Sequence, residues 1–173
     1  MYLKLKLDAG IYVIFRVRNY NCNPADADDN WCTIDLIVKK QDVLNYRLFN
    51  DEALEIYDVR RISEIIEKAL NGEDFEKYEP MEPYMFFDFT PETKLEPLKM
   101  NWRIYIWSGV RHNSESTISL CLYEEEMQIL LHYLRFIAGN EHKEDVKEFL
   151  EQGIFVEDNG EAWTDKTKWD LSE

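Results

Sequence analysis

A chain of 173 residues, 45% hydrophobic and 14% aromatic, is long enough for one domain with its own core and too apolar to be disordered. Its 35 acidic residues against 20 basic ones give a net charge of −15, which repels phosphate backbones and argues against nucleic acid as a partner. The same charge keeps a chain in solution and draws basic partners from a distance.

The cysteines, Cys22, Cys32 and Cys121, are odd in number and show no CxxC spacing. No disulfide framework is expected, and a reducing, cytoplasmic setting follows. Residues 1–8 alternate Leu3, Leu5 and Leu7 with Lys4 and Lys6, which predicts a strand and not a signal peptide. No apolar run approaches the ~20 residues of a membrane span.

Gly10 punctuates, and residues 11–18 predict a second strand with Ile11, Val13, Phe15 and Val17 inward. Asn, Pro and Asp then give a turn-rich loop through Asn30. Residues 31–39 predict a third strand, apolar at Cys32, Ile34, Leu36 and Val38, and residues 43–49 its hairpin partner. Asp58 is placed to cap a helix reaching Leu70, whose Val59, Ile62, Ile66 and Ala69 recur at helical spacing before Asn71-Gly72. Residues 84–89 are nearly all apolar and predict a strand that is central or covered on both faces. Residues 102–107 and 117–122 predict two more strands. Glu124-Glu125-Glu126 suits the positive end of a second helix through Ala138, buried by Met127, Leu130, Leu131, Leu134 and Ile137. A shorter third helix over residues 142–152 ends at Gly153.

These elements predict an α+β fold: a mostly antiparallel β-sheet of about six to eight strands, two main helices and a short C-terminal helix. Residues 1–153 read as a single domain. Residues 154–173 read as an acidic tail, with Phe155, Trp163 and Trp169 as anchors on that domain.

Chemistry-bearing motifs are scarce. His112, His132 and His142 lack metal-binding helical spacing, no GxSxG elbow occurs, and the glycines stand singly. No catalytic residue, cofactor or metal is therefore assigned. Asp26-x-Asp28 opens as calcium loops do, but the turn glycine and the later bidentate glutamate are missing. A hydrolase using paired carboxylates stays open on composition, although no pair is singled out. So does a structural or regulatory domain without a charged partner.

The residue order from Asn19 onward carries one likeness. A strand, then Tyr20, then Asp26-x-Asp28-Asp29-Asn30-Trp31 and an alternating strand resembles the WapI-type immunity proteins of bacterial polymorphic toxin systems. The likeness extends through the first helix and Glu79-Pro80 into the aromatic strand, and on to residues 117–138. It implies a small cytoplasmic protein that neutralises a cognate toxin domain by binding, with no catalytic residue of its own. The partner expected from charge and resemblance together is a basic protein domain such as a nuclease toxin, without nucleic acid or membrane; oligomeric state stays open.

Charge is densest late in the chain, where residues 141–173 hold 11 acids against 4 lysines, a net −7. Glu157, Asp158 and Glu161, with Asp26, Asp28 and Asp29, are the candidate steering charges. Tyr105 and Trp107 share the strand face opposite Trp102 and Ile104 and are the candidate aromatic anchors.

Overall fold

Alternation of apolar residues builds the first half of the chain as neighbouring hairpins. In the computed structural model, which describes residues 1–21, 30–82, 84–106 and 116–165, β1 (Tyr2–Leu7), β2 (Ile11–Arg18), β3 (Trp31–Lys40) and β4 (Leu44–Glu55) pair antiparallel in sequence order. Helix α1 (Ile56–Leu70) follows, then β5 (Met85–Thr90), β6 (Lys99–Tyr105) and β7 (Thr117–Leu122). Helices α2 (Glu124–Ile137) and α3 (Lys147–Glu151) and a two-residue strand β8 (Phe155–Val156) complete the order.

The fold is α+β, with its strands divided between two antiparallel sheets instead of one. The larger has the order β4-β3-β2-β1-β8, so the late strand closes against the first, Phe155 opposite Leu3. The smaller is the meander β5-β6-β7. Both sheets and both long helices share one core. Phe15 of β2 meets Trp102 of β6 edge to face at 5.3 Å, and Phe87 of β5 stacks on the same indole at 5.7 Å. Where these rings meet Leu54, Ile62, Leu130 and Leu134, only about 10 Å³ stays empty. That is about one water molecule's room, so the junction of the layers holds no ligand cavity.

Several details differ from the sequence expectations. Helix α1 begins at Ile56, and Asp58 stands in its first turn instead of at the cap. Its carboxylate accepts the Glu55 N–H at 2.7 Å, the returning half of a capping box. Strand β5 is neither central nor covered on both faces: it forms an edge, with Met85, Phe87 and Phe89 inward. A continuous apolar run does not separate these cases, because outward Phe86 is shielded by the Arg103 guanidinium 5.3 Å from its ring. Tyr78 also guards that edge through reciprocal 2.8 Å backbone bonds with Phe87. The third helix is confined to residues 147–151, since residues 142–145 form a turn in which the His142 N–H donates to Asp145 Oδ2 at 2.8 Å.

Strand β4 outruns its expected end at Phe49 and reaches Glu55 by two register shifts against β3. Asn50, at φ 55°, takes up the irregularity and turns its N–H onto Asp35 Oδ1 at 2.9 Å. Asp35 and Arg16 lie on the outer face of the larger sheet, both completely buried. Residues 157–165 cover that face: Trp163 lies over Ile14 and Ile37, and its ring centroid is 4.0 Å from the Arg16 guanidinium carbon.

A candidate protein-binding groove

Helix α1 ends in a Schellman turn, with Glu73 N–H on the Lys68 carbonyl at 2.9 Å and Gly72 N–H on Ala69 at 3.1 Å. Gly72 sits at φ 69°, the left-handed conformation this turn needs. The chain is thereby turned back so that Glu73 and Asp74 form one wall of a surface groove of about 870 Å³. Phe75 then anchors the segment on Phe89, ring to ring at 5.1 Å.

The second wall is the β5–β6 connection. Pro91 and Pro97 bracket a turn in which Thr93 Oγ1 accepts the N–H groups of Leu95 and Glu96 at 3.3 and 3.0 Å. The turn presents Glu92 to the groove and leaves the Leu95 side chain 95% exposed just beyond it. The third wall is the start of α2, where the Tyr123 N–H is held by Glu126 Oε2 at 2.9 Å while Glu124 and Glu125 face the groove.

The floor is apolar, from Ala69, Leu70, Phe75 and Leu98, and the rim carries five carboxylates: Glu73, Asp74, Glu92, Glu124 and Glu125. Among the described residues, no lysine or arginine lines it. Lys99, at the start of β6, pairs with Glu96 instead, at 3.3 Å. The Tyr123 hydroxyl at the rim is held above the usual phenol range, chiefly by Cys121 beside it. An apolar floor, an acidic rim and an exposed leucine suit a partner segment in which lysine or arginine alternates with apolar side chains.

The residues singled out in the sequence lie elsewhere. Tyr105 is half-buried on the outer face of the smaller sheet, opposite Thr117. Glu157 is paired with Lys143. Asp158 accepts Arg16 Nη1 at 2.8 Å and the amino terminus at 3.2 Å, and its side chain is nearly covered. The Glu161 carbonyl accepts Arg16 Nη2 at 2.8 Å, while the residue itself is exposed. Asp26, Asp28, Asp29 and Trp107, with Cys22 and Trp169, lie outside the described residues. The groove went unseen because its five acids come from three separate segments; Glu124 and Glu125 read only as a helix start.

One other carboxylate stands apart. Burial pushes the Asp51 carboxyl up; a hydrogen bond from Tyr84 opposes this, and Glu82 and Glu52 add to it. It lines neither the groove nor the layer junction. Among the described residues, no group of three or more His, Cys, Asp or Glu side chains is placed to hold a metal, and no helix is long and apolar enough to cross a membrane. No family model matches the chain, and neither a curated protein nor a solved structure is significantly similar to it.

Proposed function

We propose that this chain is a non-enzymatic binding module that captures a basic protein domain in the groove between α1, the β5–β6 turn and α2. The resemblance of residues 10–140 to immunity proteins of polymorphic toxin systems, with the net charge of −15, makes a cytoplasmic toxin-neutralising role the specific form of the proposal. The observation that carries it is the five-carboxylate rim over an apolar floor, with no lysine or arginine among the described residues that line it. Exposed carboxylates speed encounter with a cationic surface, whereas Leu95, Tyr123 and the floor supply the desolvated contacts that slow dissociation. A nuclease toxin fits this chemistry, because a surface that attracts phosphates also attracts carboxylates.

The test uses the toxin domain encoded in the neighbouring reading frame, catalytically inactivated, with association rates measured at low and high salt. We expect fast, salt-sensitive binding to the wild-type chain. Reversing Glu73, Asp74, Glu92 and Glu124 to Lys should slow association by at least about ten-fold at low salt, while Leu95→Ala should mainly speed dissociation. Binding that ignores both salt and charge reversal would remove the groove from the mechanism.

A further inference from the structure

We infer that the groove reads the polarity of its occupant. A second depression, of about 330 Å³, adjoins it at Glu125, which lines both. The character changes across that residue. On the far side Lys4, Lys6 and Tyr12 of β1 and β2 join Glu125 and Glu126, so two cations balance the carboxylates there, whereas no described lysine or arginine lines the first depression. Lys6 Nζ lies 5.6 Å from the centre of the Tyr12 ring, which fixes its ammonium near the depression. The Lys4 N–H is taken by the Ile154 carbonyl at 2.8 Å, so at that position β1 offers the site a side chain and not a free N–H.

The occupant that fits both depressions is one polypeptide segment of divided charge. Its basic stretch lies over Glu73, Asp74, Glu92 and Glu124, and an acidic stretch reaches past Glu125 to Lys4 and Lys6. A uniformly basic segment would satisfy the first depression and leave Lys4 and Lys6 in the second without a counter-charge from the partner. This rests on the proposed binding role and adds the partner's charge order to it.

Two labelled peptides of equal length test it by fluorescence anisotropy at low salt: one of Lys-Gly-Leu repeats throughout, the other of Lys-Gly-Leu repeats followed by Glu-Gly-Leu repeats. The divided peptide is expected to bind about ten-fold more tightly, the worth of two modest surface ion pairs. In a Lys4→Glu, Lys6→Glu variant with an unchanged melting temperature, the order should invert. Equal or tighter binding of the all-basic peptide to the wild-type chain would overturn the polarity while leaving groove binding intact. Failure of both peptides to bind would overturn the polarity together with the groove.

Discussion

Arg16 and Asp35 stand opposite each other across β2 and β3, and neither side chain reaches solvent. Asp35 Oδ2 accepts Arg16 Nε at 2.9 Å and Arg18 Nε at 3.0 Å, and Oδ1 accepts the Asn50 N–H. Arg16 turns its remaining nitrogens to Asp158 and to the Glu161 carbonyl. A buried ion pair repays its desolvation only when its remaining polar atoms are also bonded, and this pair meets that condition with groups from β4 and the late segment.

Removing one partner should therefore be costly. Asp35→Ala leaves a buried guanidinium short of a counter-charge and is expected to cost about 3–5 kcal/mol in urea unfolding. Adding Arg16→Met should recover part of that loss. A double variant weaker than the sum of the two singles would show that the pair is not the unit of stability.

Tyr133 gives a second test. Its ring is fully buried against Phe15 and Phe155, and its hydroxyl accepts the Val17 N–H at 3.0 Å, at the end of the β1–β2 register. Tyr133→Phe keeps the packing and orphans that donor, for an expected loss of about 1–3 kcal/mol. Amide exchange at Val17 should quicken in step; unchanged stability and exchange would mean that another acceptor serves Val17.

Acid should loosen the late segment. Burial alone would raise the Asp158 carboxyl, but hydrogen bonds from Arg16 and the terminal amine outweigh it and hold the group below its ordinary value. A carboxyl lowered in the fold stabilises it above the unfolded value, about 3.9 for Asp, and that contribution is lost as pH falls through the folded value. Asp158→Asn should lower the melting temperature at neutral pH and flatten its decline below about pH 4. Asp51, raised in the fold, acts with the opposite sign, so Asp51→Asn should raise the neutral-pH melting temperature.

Trp163 clamps the same segment. It meets Tyr2 edge to face at 5.2 Å and Phe49 at 6.4 Å as well as the Arg16 guanidinium. Trp163→Ala is expected to cost about 3–5 kcal/mol. It should also open residues 157–165 to limited proteolysis before the core unfolds, and equal cleavage rates in variant and wild type would contradict the clamp.

The elements were legible where one face alone is apolar. Leu3, Leu5 and Leu7, or Cys32, Ile34, Leu36 and Val38, declare their core face by alternation, and α1 and α2 by helical spacing. Arg16 and Asp35 were not legible: in sequence they read as the polar side of half-buried strands, and only a segment more than a hundred residues later makes that side an interior. Asn50 and Asp51 resemble turn residues, which hid the continuation of β4 across its bulges. The groove was hidden for a related reason, since no local pattern records that a helix end, a turn and another helix start converge.

The pairing of β8 with β1 also sets an order on synthesis. Strand β1 is made before its outer neighbour, which contains Phe155 and Val156 and follows the other three strands of the sheet, both long helices and the whole smaller sheet. Until then the nascent chain carries an open strand edge at Tyr2 and Leu3, and a guanidinium at Arg16 without its cover. Such an edge is a site for pairing with other chains. The window of vulnerability to aggregation therefore lasts until β8 has been made and closes in a long-range step.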